Sequence, residues 1–324
     1  MAFLDLHVPS FTYPGAPEDL FPTVLRIAAA AERSGFTALS VMDHYHQIQP
    51  QGAPDEPMLE AYTALGAIAA RTSTLRLLTV VTGVTYRVPA ILAKQVTTLD
   101  VISGGRAILG IGAAWNDEEH LAYGVPFPPI GERMNRLDEA VRICRAMFDR
   151  KQSSFAGRYY QTKDAYNVPR PLQSRVPILI GGGGERRTLR LVAEHADFCN
   201  VIGDPQTGQH KLEVLRRHCE EVGRDYSTIE KTAHVGIIVI DETEGAVRRR
   251  LEAIAASPPP ALRGVSAEEL SVRLVSGTPA RVTARLRPYV DAGFDGLSFS
   301  VYGAYEEGPV ELAGQAAGAA LGDD

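Results

Sequence analysis

The chain has 324 residues, of which 45% are hydrophobic and 22% are charged, and its formal net charge at pH 7 is −6. This composition is typical of a globular protein with a substantial core, and the acidic balance argues against a general binder of nucleic acids or anionic membranes. The length fits either two domains or one large α/β barrel.

The first residues show no basic stretch followed by an apolar one, and no apolar run approaches the length of a membrane span. Cys144, Cys199 and Cys219 are odd in number and lack the spacing of a metal site, so we interpret them as reduced and structural. We therefore expect a cytoplasmic protein with no membrane partner.

Short apolar runs alternate with helical patterns along the chain, as in parallel βα units. The predicted strands are residues 3–8, 38–42, 75–82, 107–112, 177–180, 198–201, 234–240 and 296–301. The predicted helices are residues 20–34, 58–71, 89–102, 133–148, 186–195, 207–222, 244–255 and 280–292. Such units most economically close into a (β/α)8 TIM barrel, whose site lies at the carboxyl ends of the strands.

Two insertions interrupt this repeat, one at 149–175 before the fifth strand and one at 257–276 before the last helix. The first is expected to be an extended excursion or a hairpin, and both are candidates for lids over the site. The tail, residues 306–324, is rich in glycine and alanine, and we assign it no role. We expect residues 1–324 to form a single domain.

A run of four glycines follows the predicted fifth strand and precedes a helical pattern. Backbone N–H groups in such a loop are not shielded by Cβ atoms, and the positive end of a helix dipole lies next to them. We predict that Gly181, Gly182, Gly183 and Gly184 bind a phosphate. The alternative is a flexible strand-to-helix connection without a ligand.

An acid and an imidazole, Asp43 and His44, follow the second strand. His44 suits a general acid or base at neutral pH, and Asp43 suits an acceptor for a ring N–H of a ligand. A metal site at His44 and His46 is a less favoured reading, because it needs further ligands on other strand ends and His234 is expected to begin its strand at the wrong end. Packing of the two histidines in a loop is a third possibility, and we expect no metal.

Glycines and one tryptophan mark the ends of the third and fourth strands. Gly83 indicates a bulge or a close approach of the backbone to a ligand. The run from Gly110 to Asn116 lacks the third glycine of a dinucleotide fingerprint, so a Rossmann site is not favoured. Trp115 suits a wall over a flat ligand or ordinary packing. Arg186, Arg187 and Arg190 beside the glycine run suit a ligand with more negative charge than one phosphate, or a solvated helix face.

With these stretches in place, the chain resembles the bacterial luciferase-like superfamily, and within it the oxidoreductases that use the deazaflavin coenzyme F420. The resemblance runs from the first strand to about Val301. It rests on the following motifs in order: Ser34-Gly35-Phe36, Asp43-His44, Thr82-Gly83-Val84, Leu92-Ala93-Lys94-Gln95, Thr98-Leu99-Asp100, Ser103-Gly104-Gly105-Arg106, Gly110 to Asn116, Tyr123-Gly124, Ile178 to Gly184 and Gly277-Thr278-Pro279.

The resemblance implies a TIM barrel with a flavin-like ring over the strand ends and a non-prolyl cis peptide between Gly83 and Val84. His44 would be the catalytic proton donor or acceptor. The residues that the resemblance implies for cofactor binding are Asp43, Thr82, Gly83, Val84, Ala113, Asn116, Gly181, Gly182, Gly183 and Gly184. The branch that oxidises sugar phosphates carries a glutamate where this chain has Ala113, which puts a sugar-phosphate substrate in doubt.

The leading functional hypothesis is hydride transfer between coenzyme F420 and a small organic substrate. One alternative is an FMN-dependent luciferase-like monooxygenase that uses reduced flavin and oxygen, and another is a catalytically silent cofactor-binding protein. We also expect a homodimer. The two insertions and the loop side chains determine the substrate, and periodicity does not position them.

Overall fold

The computed structural model describes residues 2–15 and 17–322. The strands are β1 (Phe3–Val8), β2 (Ala38–Val41), β3 (Arg76–Thr79), β4 (Thr82–Gly83), β5 (Leu109–Gly112), β6 (Gln152–Ala156), β7 (Gln161–Tyr166), β8 (Ile178–Gly181), β9 (Phe198–Ile202), β10 (Glu230–Ile240), β11 (Val275–Gly277) and β12 (Gly296–Val301). The helices are α1 (Leu20–Arg33), α2 (Ala61–Ala69), α3 (Pro89–Ser103), α4 (Asp117–Ala122), α5 (Ile130–Asp149), α6 (Thr188–His195), α7 (Pro205–Val222), α8 (Glu244–Ala256), α9 (Ala267–Arg273), α10 (Pro279–Asp291) and α11 (Glu307–Leu321).

The main sheet is parallel and curls into a barrel. Its strands follow the order β3, β2, β1, β12, β10, β9, β8, β5, β4, and β11 pairs with β10. A parallel bridge between Leu77 and Ala107 joins β3 to the chain before β5 and closes the ring. The predicted (β/α)8 architecture is therefore confirmed, with β4 and β11 as short additions.

The amino-terminal half of the barrel interior is filled by an apolar layer. Several of its members are the first residues of their strands, so they sit at one level. This layer consists of Phe3, Ala38, Leu78, Ile108, Leu179 and Phe198. It seals that end of the barrel, and the opposite, carboxyl ends of the strands are left for the site.

The third strand is shorter than predicted. β3 ends at Thr79, and the chain makes a break at Val80 and Val81 before β4 pairs with β5. The non-prolyl cis peptide is Val80–Val81, so its predicted position at Gly83–Val84 is wrong. The largely apolar run 75–82 gave no sign of a break, because its valines are as favourable in a strand as at its end.

The first insertion contains the expected hairpin, formed by antiparallel β6 and β7. The Glu139 carboxylate of α5 accepts hydrogen bonds from the backbone N–H groups of Arg158, Tyr159 and Tyr160, which fixes the hairpin turn on the outside of the barrel. The second insertion contains α9, which packs near α8. No described residue of either insertion lines the cleft at the carboxyl ends of the strands, so the structure does not support a role for them as lids.

Within the tail, residues Glu307–Leu321 form α11, and residues 323–324 lie outside the described residues. A Cβ atom on Gly314 would lie 2.1 Å from the Ser34 carbonyl oxygen, so the small residues of this helix allow close packing on the end of α1. Within the described ranges, none of the helices has both the length and the apolar character needed to span a membrane.

Candidate active site

A cleft of about 460 Å³ opens at the carboxyl ends of the barrel strands. Its walls come from the ends of β2, β5 and β8 and from the break after β3, and its floor from β1, β9 and β10. A larger depression of about 590 Å³ lies around Arg76 and Glu230 at the opposite ends of the strands. We assign the chemistry to the first cleft, because barrel enzymes place their sites at carboxyl strand ends.

The glycine run forms one wall of the cleft. Its conformation requires glycine, because Gly182 has a φ of +116° and a Cβ atom on Gly181 would lie 2.7 Å from a methyl group of Val81. The Gly182 N–H donates to the Asn200 carbonyl oxygen at 3.2 Å. Among the described residues, the N–H groups of Gly183 and Gly184 have no acceptor, so they are the donors left for an anion.

His44 forms the opposite wall together with Trp115, and the two rings meet edge to face with centroids 5.8 Å apart. The His44 Nδ1 lies 2.6 Å from Oε2 of Glu119, which is fully buried. Because an ionised carboxylate only accepts, His44 carries its proton on Nδ1 and leaves Nε2 available in the cleft. The structure therefore gives His44 the geometry of an oriented general base.

Glu119 is held by several donors. It also accepts hydrogen bonds from the Tyr86 hydroxyl at 2.5 Å and from the Tyr45 N–H. Burial opposes its ionisation, but the hydrogen bonds from His44 and Tyr86 outweigh burial and lower the pKa of Glu119 to about 2. Glu119 is consequently an anion at all ordinary pH values.

Sequence reasoning missed Glu119, which lies in the six-residue helix α4. The signal was present: Asn116 precedes three acidic residues, and its side chain caps the helix by accepting from the Glu119 N–H at 3.4 Å. The helix is too short to show an apolar period, so the pattern that revealed the longer helices did not apply.

Asp43 lies in the cleft but is already paired. Arg87 donates to both of its oxygens, at 2.5 and 2.9 Å, and also to Glu60 at 2.8 Å. Burial raises the pKa of Asp43, and the charge of Arg87 offsets part of that shift. An N–H group of a ligand would have to bond to an Asp43 oxygen that already accepts from Arg87. The sequence did not identify Arg87 as the partner of Asp43.

Most of the predicted site residues meet in this cleft. Asp43, His44, Gly83, Ala113 and the four glycines 181–184 all line it. Thr82, Val84 and Asn116 do not: Thr82 bonds to Tyr62, Val84 is buried, and Asn116 caps α4.

The predicted position of His234 at the start of its strand is wrong, because β10 begins at Glu230. The ring of His234 consequently lies at the floor of the cleft, 5.3 Å from the ring of His7. His7 was not singled out either, because nothing in its local sequence distinguishes an inward histidine from an ordinary strand residue.

The described residues do not bring His44 and His46 together as metal ligands. His46 bonds through Nδ1 to the Gln47 carbonyl oxygen. Over the described ranges, only Asp138, Glu194 and His195 place ligand atoms close enough for a metal, on the outer surface of α5 and α6. Such surface groups are common without an ion.

Small residues shape one wall of the cleft. The Val81 side chain lies between Gly112 and Gly181, where a Cβ atom on either glycine would come within 2.8 Å of it. Ala114 has a φ of +61°, and Arg133 donates to its carbonyl oxygen and to that of Ala113. The two glycines therefore leave room for the Val81 side chain in this wall.

The family model for luciferase-like monooxygenases matches residues 6–296, and the chain belongs to this family. A relative called F420-dependent glucose-6-phosphate dehydrogenase, from Kineococcus radiotolerans, is 31% identical over 310 residues that cover 90% of each chain. The predicted family resemblance is thus confirmed.

Solved structures of similar fold carry both kinds of chemistry. An F420-dependent secondary alcohol dehydrogenase, in complex with an F420–acetone adduct, has a TM-score of 0.78 with 20% identity and 99% coverage of both chains. A long-chain alkane monooxygenase has a TM-score of 0.79 with 17% identity, and the match covers 97% of this chain and 90% of that one. At these identities the structures establish the fold alone.

Proposed function

We propose that this protein is an F420-dependent oxidoreductase that transfers a hydride between the deazaflavin and a small organic substrate. The observation that carries the proposal is that the glycine loop and the His44–Glu119 pair face the same cleft. A relative of 31% identity over nine-tenths of the chain bears a name with the same coenzyme, which supports it.

Features of the cleft suit the parts of the coenzyme and support the proposal. The free N–H groups of Gly183 and Gly184 suit its phosphate, and the wall at Gly112, Gly181 and Val81 suits its ring. Next to the loop lies a surface depression of about 450 Å³ whose charged lining consists of five arginines, Arg142, Arg158, Arg186, Arg187 and Arg190, and three acids, Asp138, Glu139 and Glu194. Its arginines suit the carboxylates of a glutamyl tail.

Two of the three arginines expected to meet that tail are engaged elsewhere. Arg190 pairs with Glu194 and Glu221, and Arg187 donates to Asn135. Arg186 is exposed and makes no hydrogen bond or ion pair within the described part of the chain, so it is the principal candidate for the tail.

When bound, F420 supplies the carbon that gives or accepts the hydride. For the oxidation of an alcohol, the Nε2 of His44 takes the hydroxyl proton as the hydride leaves the adjacent carbon, and the imidazole becomes an imidazolium. Glu119 stabilises that positive charge through the Nδ1 proton. The ring of Trp115 lies beside His44 in the cleft and contacts it edge to face.

The second candidate function is an FMN-dependent monooxygenase, which the description of the matching family favours. Both cofactors present a phosphate and a tricyclic ring to the same walls, whereas only F420 carries a glutamyl tail. A catalytically silent cofactor binder is the third, and it is favoured if His44 can be replaced without any effect on turnover.

Titration calorimetry with F420 and with FMN at two salt concentrations tests the proposal. We expect F420 to bind at least about tenfold more tightly, a difference of about 1.4 kcal/mol. Raised salt should narrow this gap, because exposed charge contacts are screened. Tighter binding of FMN would move the assignment to a monooxygenase.

We further infer a cytoplasmic homodimer built from a single domain. The three free cysteines, all buried, suit a reducing compartment. Val88 and Ile91, 59% and 58% exposed, form an apolar surface at the start of α3 that a second copy would cover. Sedimentation velocity on the wild type and on Ile91→Asp tests the dimer: we expect the variant to be a monomer.

A further inference from the structure

The barrel interior carries a polar layer directly above the apolar layer. Asp5, Ser40 and Ser298 come from three adjacent strands and are all fully buried. Barrel interiors are generally filled by branched apolar side chains, and burying a carboxylate costs free energy that valine or isoleucine would not. Stability therefore does not account for this layer.

The hydrogen bonds in this layer run in one direction. Ser40 and Ser298 each donate their hydroxyl proton to Asp5 Oδ2, both at 2.7 Å. Since a hydroxyl has one proton, each serine oxygen must then accept from its other neighbour. Those neighbours are Nδ1 of His7, at 2.9 Å from Ser40, and Nδ1 of His234, at 3.2 Å from Ser298.

The two histidines are thereby fixed with Nδ1 protonated and with Nε2 as a hydrogen-bond acceptor. Both rings line the cleft, and neither Nε2 has a partner within residues 2–15 and 17–322. His7 is only 7% exposed, so its acceptor faces the cleft rather than bulk solvent. The register of β10 shifts between His234 and Gly236, and bulges of this kind often aim side chains into a site.

Both imidazoles are neutral at pH 7. Burial lowers the pKa of His234 to about 4, and burial together with the nearby His234 and His44 holds the pKa of His7 well below its usual value. No described lysine or arginine lines the cleft. The floor thus presents acceptors and no positive charge.

We propose that His7 and His234 form the substrate subsite of the cleft and accept hydrogen bonds from the hydroxyl groups of a small uncharged alcohol or polyol. Asp5, Ser40 and Ser298 are positioning residues, because they act by fixing the two imidazoles. A phosphate ester of the same alcohol finds no cationic partner on this floor. This inference rests on the proposed function, since the substrate must lie beside the bound coenzyme.

Nitrogen NMR of the full chain labelled with ¹⁵N-histidine tests the orientation of the two rings. Variants His7→Gln and His234→Gln assign the signals. We expect both Nε2 atoms to show the shift of an unprotonated nitrogen, and glycerol, but not glycerol 3-phosphate, to move them when F420 is bound. An Nε2–H tautomer in either ring, or no response to glycerol or to any other neutral alcohol, would overturn the proposal.

Kinetics with glycerol, 2-propanol and glucose, each beside its phosphate ester where one exists, tests the substrate class. We expect neutral alcohols to reduce F420 with at least about tenfold higher kcat/KM than the esters. His7→Leu and His234→Leu should raise KM at least about tenfold, the Gln variants should retain more of the affinity, and the surface control His210→Gln should behave as wild type.

Binding of F420, measured first on the same samples, separates the two proposals. If F420 does not bind the wild type, the proposed function fails. If F420 binds and phosphate esters are preferred, or if the Leu variants keep the wild-type KM, only the substrate subsite is refuted.

Discussion

At the scale of single residues, His44 depends on a carboxylate that lies 75 residues further along the chain. Glu119, in the short helix α4, accepts the hydrogen bond from its Nδ1. Glu119→Gln keeps the shape but removes the charge that stabilises the imidazolium. We expect kcat to fall about 10- to 100-fold, with the affinity for F420 unchanged within about twofold. Turnover of F420 with an alcohol measures the first and calorimetry the second.

Glu118→Gln is the matched control for this substitution, because Glu118 lies next to Glu119 on the same helix and its side chain is exposed. We expect it to turn over like the wild type. Equal kcat values for both variants would show that Glu119 does not act through His44.

The anion site of the glycine loop is also testable at one residue. A side chain on Gly183 would make only ordinary contact with the Lys211 stem, 3.7 Å away. Gly183→Asp should weaken F420 at least about 100-fold, because a carboxylate would repel the phosphate, whereas the isosteric Gly183→Asn should lose clearly less. Calorimetry measures the affinity of each variant for F420. Similar losses of affinity in the Asp and Asn variants would mean that the size of the added side chain, and not its charge, weakens binding.

The contact between Arg186 and the glutamyl tail of F420 is expected to contribute less to the affinity. Arg186→Ala should lower the affinity for F420 about two- to fivefold, as exposed ion pairs contribute less than about 1 kcal/mol, and should leave that for FMN unchanged. Arg249→Ala, an exposed arginine on α8, is the control. A parallel loss for both cofactors would contradict a role in holding the tail.

At the scale of secondary-structure elements, α4 is the element whose stability and function can be separated. Asn116→Ala removes its N-cap and should cost about 1 kcal/mol of unfolding free energy while also lowering kcat, because Glu119 is the residue that the cap holds. Ser266→Ala removes the cap of α9, whose residues do not line the cleft, and should cost a similar amount without a change in kcat. Chemical denaturation and turnover on the same samples make the comparison.

The secondary-structure elements also explain which parts of the candidate site could be predicted from the sequence. The βα alternation, the glycine loop and His44 were predicted because each depends on a run of neighbouring residues. Glu119, Arg87 and the pair His7 and His234 were not, because each acts through a partner far along the chain. The position of the cis peptide was predicted wrongly for the same reason. The end of β3 at Thr79 is set by its pairing with another strand and not by its composition.

At the scale of the whole molecule, the buried polar layer makes stability depend on pH. Burial raises the pKa of Asp5 to about 6 from an ordinary value of 3.8, although hydrogen bonds from the Ser298 and Ser40 side chains partly offset the shift. A raised carboxyl pKa means that the folded state binds more protons than the unfolded state between these two values. The contribution of Asp5 to stability is therefore lost as the pH rises from about 4 to above 6.

Asp5→Asn removes this titration and should become more stable relative to wild type as the pH rises. The gain between pH 4 and pH 7.5 is expected to be about 2 to 3 kcal/mol, from the size of the shift at about 1.4 kcal/mol per pKa unit. His7 and His234, which face Asp5 through the serines, and Glu119 in the cleft wall also titrate or stay charged in the wild type. Their contributions are common to both proteins and cancel in the difference wherever their pKa values are unchanged. Urea denaturation of both proteins at each pH measures the difference in unfolding free energy. A difference that stays constant across this range would show that burial does not raise the pKa of Asp5 beneath the cleft.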